Sequence, residues 1–457
     1  MNLPQEFIDR TCPLFPKDWT AFVEALSGDA SISVRINGDK IADLNYPRIP
    51  WCTSAYKLEI RPQFTLDPLI HAGAYYVQEA NSMFIEEALR QLTDVNKTHT
   101  VLDLCAAPGG KTTLLSSLFS KNSIIVANEV IKQRAGILKE NIQKWGRGNV
   151  VVTSNDSKDF GRLENFFDVL VADVPCSGEG MFRKDEKAIT EWSTANVQLC
   201  AERQKRIIAS VWPSIKKGGY VLYSTCTFNE EENENNIDWI CENFDAEVVQ
   251  LQLKEEWGIV ASKNGYRFYP HKTPGEGFFL SVLRKMGEHE EVRNKKIQKK
   301  EFSFLHKNEK EWTEKFVDAQ GAEFLKFKNF VFLFGGDLDK LFLLSESLYV
   351  MYFGVEVGEV LRDEIKPAPT LVYSSFCNKN AFDYMELSQY EALRILKKEN
   401  IVLPHKAEKN WIIFTFKNVP IALAKNIGNR INNYFPKEWV IRMNIKEEGL
   451  VSLVDAE

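Results

Sequence analysis

Between Thr100 and Arg284, short apolar runs alternate with longer segments of helical periodicity, the pattern of a doubly wound parallel α/β sheet. The run from Val101 to Ala106 reads as a strand ending in a Pro-Gly-Gly turn, with a helix from about Lys111. A strand at Ser123 to Val130, a helix from Lys132 to Trp145 and a strand at Asn149 to Asp156 follow. The segment from Phe167 to Pro175 is apolar almost throughout, as a strand buried on both faces requires. A long helix is expected to end at the Gly218-Gly219 pair, a C-cap signal, before strands at Tyr220 to Cys226 and Phe278 to Leu283. Asn229 and Glu232 have capping-box spacing and predict a helix start between those strands.

The pattern changes on either side of this block. Residues 286–310 are polar and read as a linker, with Arg293, Lys295, Lys296, Lys299 and Lys300 close together. Beyond it, Phe330 to Phe334 and Lys340 to Tyr352 read as strands separated by Gly335-Gly336, and Lys366-Pro367-Ala368-Pro369 interrupts again. Ser388 and Glu391 form a capping box that opens a helix through Lys398. Strands are expected at Trp411 to Phe416 and Trp439 to Met443. The implied units are a small N-terminal α+β segment (1–65), a Rossmann-like core (66–285), the linker, an α+β unit (311–380) and a β-rich tail (381–457).

Composition narrows the class. A chain of 457 residues, 44% apolar and 26% charged, is long enough for two or three cores. No apolar stretch reaches membrane length and the first residues lack the pattern of a leader, so a cytoplasmic, membrane-independent protein is expected, as a monomer. Eight cysteines without Cys-x-x-Cys spacing read as free thiols, with neither a metal site nor a disulfide framework. The net charge of −6 conceals a basic tail, in which eleven Lys and Arg face three Glu between Arg394 and Lys446, a net of +8. With Trp411, Tyr434, Phe435 and Trp439 interleaved, that stretch suits RNA phosphates, although the aromatic rings taken alone read as core. A chain cut near Lys285 is accordingly expected to keep its cofactor pocket and lose most RNA affinity.

Cys105-Ala106-Ala107-Pro108-Gly109-Gly110-Lys111 joins a strand to a helix start, where the turn lets a ligand approach the backbone and the helix N-terminus favours an anionic group. It is no P-loop, because Cys105 occupies the position five before Gly110 where that motif has glycine. Glu129 at the second strand end suits ribose hydroxyls, and Asp156 at the third lies within reach of an adenine amino group. A nucleoside site without a diphosphate motif suggests S-adenosylmethionine. Downstream, Cys176 in Pro175-Cys176-Ser177-Gly178 and Cys226 in Ser224-Thr225-Cys226-Thr227 stand at two strand ends. Two thiols beside a methyl donor suit C5 of a pyrimidine, a carbon that becomes nucleophilic only after a thiolate adds to C6. Their spacing does not decide which cysteine attacks.

Leu104 to Thr112, Asp173 to Gly180 (Asp-Val-Pro-Cys-Ser-Gly-Glu-Gly) and Ser224 to Glu230 resemble the signature motifs of the NOL/NOP/Sun family of RNA cytosine-C5 methyltransferases. Ala74 to Ala80, Ser82-Met83, Tyr269-Pro270-His271 and Gly275 to Phe279 extend the likeness. Residues Glu386 to Ile401 and Trp411 to Arg442 resemble the PUA-like RNA-binding tail of bacterial RsmF-type ribosomal RNA methyltransferases. The resemblance implies that Cys226 is the nucleophile and that Cys176 promotes product release, whereas a DNA-type enzyme would reverse the two. It also implies Asp173 at the base edge, Lys111 near the base or the methionine portion, and Arg134 beside the cofactor. An unperturbed thiol is only a few per cent ionised at neutral pH, so a helix N-terminus near Asn229 is expected to assist Cys226. Arg35, Gln78, Glu79, Arg183 and His271 are candidates for RNA or active-site contacts and equally for structural roles, and Cys105 reads as a small packing residue. The target base must be unpaired or flipped. Small-subunit ribosomal RNA is the expected substrate; transfer RNA, or a non-catalytic role in ribosome assembly, are the alternatives.

Overall fold

In a computed structural model the chain is described over residues 1–287, 302–399 and 410–455. The basic cluster from Arg293 to Lys300, and Lys406, Glu408 and Lys409 of the tail, lie outside the described residues. Strands β1 (Ile32–Ile36), β2 (Ala55–Leu58) and β3 (Tyr75–Val77) form an antiparallel sheet in the order β2-β1-β3. This N-terminal sheet therefore runs past the expected boundary at 65.

The central sheet comprises β4 (Thr100–Asp103), β5 (Ile124–Asn128), β6 (Val150–Thr153), β7 (Phe167–Asp173), β8 (Ile215–Thr225), β9 (Ala246–Val248), β10 (Val260–Ser262), β11 (Gly265–Phe268) and β12 (Phe278–Lys285). Its order is β10-β11-β12-β8-β7-β4-β5-β6, with β9 paired to β12. Strands β8, β7, β4, β5 and β6 are mutually parallel, and all side chains of β4, β5 and β6 are buried, which is why these segments read as unbroken apolar runs. The chain winds outward from β4 in both directions, so the crevice between β4 and β7 is the topological switch point, where the loops after the two strands diverge and leave room for a ligand.

A third sheet contains β13 (Phe302–Ser303), β14 (Glu323–Phe327), β15 (Phe330–Phe334), β17 (Val355–Val360) and β18 (Ile365–Pro367) in that order. The intermediate unit thus begins at 302, inside the expected linker. Between β15 and β17 the chain forms a helix, Leu338–Ser347, and then β16 (Val350–Phe353), which pairs with β6 as the outermost strand of the central sheet. The expected strand over Lys340 to Tyr352 is therefore mostly helix. Asp337 caps it by accepting from the amides of Asp339 and Lys340, and Leu341, Phe342 and Leu344 bury its inner face.

Strand β16 closes an edge that a parallel sheet would otherwise bare to solvent. Phe332, Phe334, Leu341, Phe342 and Phe353 also join the apolar core of the central sheet. A chain cut near Lys285 would expose that surface, which argues against an intact pocket after such a cut. The tail sheet is β19 (Asp383–Glu386), β20 (Trp411–Phe416), β21 (Val419–Asn426) and β22 (Ile431–Asn433). The predicted capping box at Ser388 and Glu391 is present, opening the helix Gln389–Leu396. Trp439 lies in a 3₁₀ turn, Lys437–Trp439, rather than a strand; its ring packs against Tyr373 and Phe435 with Lys144 over it. A second core joins the N-terminal, intermediate and tail sheets through residues such as Val34, Leu333 and Phe414. Asp67 ties the ends together, accepting from Ser452 Oγ and Leu453 N at 3.1 Å each.

Candidate active site

Two loops at the C-terminal edge of β7 and β8 carry the thiols. The loop after β7 holds Cys176 and the loop after β8 holds Cys226, with their sulfurs 2.9 Å apart and the Cys226 amide donating to Cys176 Sγ at 3.3 Å. Both cysteines are free. Their approach is built by buried carboxylates. Glu179 accepts from the amides of Phe228 (2.7 Å) and Asn229 (3.0 Å), while Glu232 accepts from Ser177 N at 3.0 Å and Gln204 Nε2 at 2.7 Å. Asn229 Nδ2 bonds to both carboxylates, at 3.0 and 2.8 Å. Gly180 N donates to Cys226 O at 2.8 Å, and a Cβ on Gly180 would meet Gly277 Cα at 2.8 Å and Cys226 O at 2.9 Å, so only glycine lets the loops touch.

Asn229 therefore knits the two cysteine loops instead of starting a helix; the next helix is Glu234–Asn243, and no helix N-terminus begins at Asn229 to assist Cys226. The preceding long helix ends at Val211, before Trp212-Pro213, and Gly218-Gly219 lie within β8, where five residues advance against two of β7. A Cβ on Gly219 would come within 2.8 Å of Lys216 O, so the pair serves this irregularity and not a helix end. The Cys176 thiol is pushed well above its ordinary pKa by its hydrogen bond with Cys226, by burial and by the charges of Cys226 and Glu232. At neutral pH Cys176 keeps its proton.

Across the switch point, Asp173 ends β7. Lys111 Nζ donates to Asp173 Oδ2 and Ser224 Oγ to Oδ1, both at 2.7 Å, which fixes the carboxylate plane between the turn and the β8 strand end. Burial opposes the charge of Lys111, yet Asp173, Asp103 and Glu79 outweigh it and raise its pKa. The turn from Cys105 to Gly110 wraps the N-terminus of the helix Gly110–Leu118. Gly109 has φ +117°, and a Cβ there would press on Leu138 at 3.2 Å. Arg134 Nη2 donates to Ala107 O at 3.0 Å and its Nη1 lies 3.4 Å from Glu129 Oε2, so Arg134 braces the turn against the end of β5. Glu129 is 3% exposed and also accepts from Ile131 N at 3.0 Å. Asp156 is exposed, three residues beyond β6, and caps a short helix through Lys158 N.

Sequence reasoning missed Asp103. It is fully buried at the end of β4, with Thr112 Oγ1 donating to Oδ2 at 2.6 Å and no partner on Oδ1 among the described residues. Burial is the main cause that raises its pKa to about 7; Thr112 and Lys111 oppose this, and Asp173 and Glu129 add to it. The signal was present, since a carboxylate inside Val101-Leu102-Asp103-Leu104 demands a partner. Three carboxylates, Asp103, Glu129 and Asp173, thus cluster around the turn with an acceptor to spare, which suits a cationic nucleoside better than a phosphate. The candidates near the N-terminal sheet make contacts within the protein. Arg35 is buried, donating to Gln78 Oε1 (3.0 Å) and Gly110 O (3.2 Å). Glu79 accepts from Asn81, Ser82 and Glu276 amides, Arg183 pairs with Glu276 at 2.8 Å, and His271 packs among Phe15, Phe22 and Tyr269.

The tail's charge is partly spent internally, because Arg394 and Lys397 pair with Glu399 and Lys417 with Asp455. Phe435 is core, whereas Trp411 and Tyr434 are half-buried, 5.1 Å apart, with Lys425 over Trp411 and Lys366 over Tyr434. Among the described residues no group of side chains suits a metal, and no helix is long and apolar enough to cross a membrane.

A doubly wound sheet with a glycine turn and a carboxylate cluster at its switch point, beside apposed thiols, is the architecture of a Rossmann-like methyltransferase. Residues 90–284 match the family described as 16S rRNA methyltransferase RsmB/F, residues 3–80 the N-terminal domain of 16S rRNA methyltransferase RsmF, and residues 383–441 the methyltransferase RsmF PUA domain. The chain is 30% identical to ribosomal RNA small subunit methyltransferase F of Escherichia coli, with 92% of each chain covered. It is 27% identical to the protein of that name from Shewanella piezotolerans, covering 92% of this chain and 93% of the other. The crystal structure of a methyltransferase homolog from Pyrococcus horikoshii superposes with a TM-score of 0.54 at 29% identity, over 62% of this chain and 95% of that one. The chain belongs to the ribosomal RNA small subunit methyltransferase F family.

Proposed function

We propose that this protein methylates C5 of a cytosine in 16S ribosomal RNA, using S-adenosylmethionine and a covalent adduct on Cys226. The observation that carries the reading is the pair of thiols 2.9 Å apart beside the Lys111–Asp173 ion pair at the switch point. Cys226 Sγ adds to C6 of an unpaired cytosine while Asp173, held by Lys111 and Ser224, supports the N3 edge, so the electron pair moves toward C5. S-adenosylmethionine supplies the electrophilic methyl group that C5 then takes. The C5 proton then passes to water, its bonding pair re-forms the C5–C6 double bond and the S–C6 bond breaks with its pair on Cys226 sulfur, to which Cys176, 2.9 Å away, is placed to hand a proton that solvent replaces. Names and residue matches of relatives support the ribosomal substrate. The test is methylation of isolated small-subunit RNA followed by bisulfite sequencing, in which one cytosine should become protected. Methyl transfer to transfer RNA alone, or to no cytosine, would overturn the reading.

Asp103, Glu129, Asp156, Asp173 and the turn at Cys105 to Lys111 would hold the cofactor, the unpartnered Oδ1 of Asp103 being the feature that fits it best. Glu129→Ala and Asp156→Ala should each weaken S-adenosylmethionine binding by about 1–3 kcal/mol, the cost of removing a partner from a polar ligand group. Glu129→Ala should have the larger effect, because it also releases Arg134 from the turn. Calorimetry would show unchanged affinity in both if the pocket is misplaced.

A cation lodged beside Asp103 favours its ionised form, so binding should expel a proton wherever free Asp103 carries one. With a free-protein pKa of about 7, cofactor affinity should rise with pH up to that value and level off above it. Asp103→Asn should flatten this profile. A wild-type affinity that is level between pH 6 and 8 would remove Asp103 from the site.

A further inference from the structure

The outer strand β16 comes from the intermediate unit, outside the stretch matched to the methyltransferase family, yet it touches the cofactor edge. Asn155, the residue before Asp156, is held at every polar atom it has. Its amide donates to Asn128 Oδ1 and its carbonyl accepts from Asn128 Nδ2, both at 3.0 Å. Its side chain reaches the other way. Asn155 Oδ1 accepts from Tyr349 N at 2.9 Å, and Nδ2 donates to Tyr349 O at 3.2 Å, an oxygen that also accepts from Ser154 N at 3.2 Å. Asn128 is 2% exposed at the end of β5, and its Nδ2 also donates to Leu104 O at 3.2 Å, next to the cofactor turn. One asparagine thus links the ends of β4, β5 and β6, and the next passes that link to β16.

We propose that Asn155 is a positioning residue for the cofactor: clamped between Asn128 and the Tyr349 backbone, it sets the place of Asp156, so that the intermediate unit completes the adenosine end of the pocket. The physical reason is the exposure of Asp156, whose carboxylate has one hydrogen bond among the described residues, the cap to Lys158 N, and whose carbonyl accepts from Asp159 N at 3.0 Å within the same short turn. An exposed carboxylate three residues past a strand end can hold a ligand in one place only if its backbone is held by something else. Asn155 supplies this from the strand side, and half of its grip belongs to the backbone of Tyr349, the residue before β16. This inference rests on the cofactor reading given above.

The test uses the full chain and measures S-adenosylmethionine binding by calorimetry, with KM and kcat from methyl transfer. Asn155→Ala should raise the dissociation constant and the KM for S-adenosylmethionine about tenfold, the size expected for one or two net hydrogen bonds, while kcat at saturating cofactor and KM for RNA stay within about twofold. Tyr349→Pro, which deletes the donated N–H, should act alike, and Tyr349→Ala, which keeps the backbone amide, should not. The Asp156→Ala change should cost less in the Asn155→Ala background than alone, because a misplaced carboxylate has less to lose. If Asp156→Ala weakens binding and Asn155→Ala does not, or if the two effects simply add, the clamp is refuted while the pocket stands. Unchanged affinity in Asp156→Ala would refute the pocket assignment and the clamp with it. A variant that only lowers the melting temperature, with affinity unchanged in the folded protein, shows a purely structural role and also refutes the proposal.

Discussion

Replacing Cys226 with alanine should reduce methyl transfer to background, a loss of roughly 10⁴-fold or more, as when a covalent nucleophile is removed from an enzyme that depends on it. The size follows from the substrate, since C5 of cytosine has almost no nucleophilicity until C6 is saturated. Cofactor binding should survive within about twofold, because Cys226 follows β8 whereas the cofactor turn follows β4, with β7 between them. A filter assay with labelled methyl donor measures the first quantity and calorimetry the second. Turnover within tenfold of the wild type would exclude Cys226 as the nucleophile.

Cys176→Ala should do the opposite of silencing the enzyme: it should leave the protein joined to its RNA. Addition and methylation use Cys226, so they proceed, but the departing sulfur loses the proton donor 2.9 Å away and elimination stalls. A slow band on a denaturing gel should accumulate to a large fraction of the protein, require both RNA and S-adenosylmethionine, and vanish in the Cys226→Ala, Cys176→Ala double variant. If the band forms with Cys226→Ala and not with Cys176→Ala, the roles are reversed, as in the DNA-type arrangement.

The amino-acid sequence by itself determined whatever depends on neighbours along the chain. Buried parallel strands must be apolar at nearly every position, so β4 to β7 were legible, and the helix from Lys132 to Trp145 was placed to the residue. The capping box at Ser388 and Glu391 was legible because its two partners lie three residues apart. The glycine turn and the two cysteine motifs were visible as contiguous signatures. What needed the tertiary structure was every decision made between distant segments. Local pattern could not tell that the Leu-rich run after Asp337 is helix, because short apolar runs fit either period until a partner surface selects one. Asn229 and Glu232 have capping-box spacing, and Asn229 Oδ1 does accept from Glu232 N at 2.9 Å, yet only a turn follows, and their remaining bonds reach Ser177 and Glu179, some fifty residues away, and hold two loops together. Gly218-Gly219 marks a strand irregularity whose cause is the register of β7 against β8. The unpartnered oxygen of Asp103 and the pairing of β16 with β6 are properties of packing, invisible in composition. Hydrophobic periodicity specifies which face of an element is buried, whereas hydrogen bonds between strand ends decide which residues meet there, and in this protein it is those meetings that assemble the site.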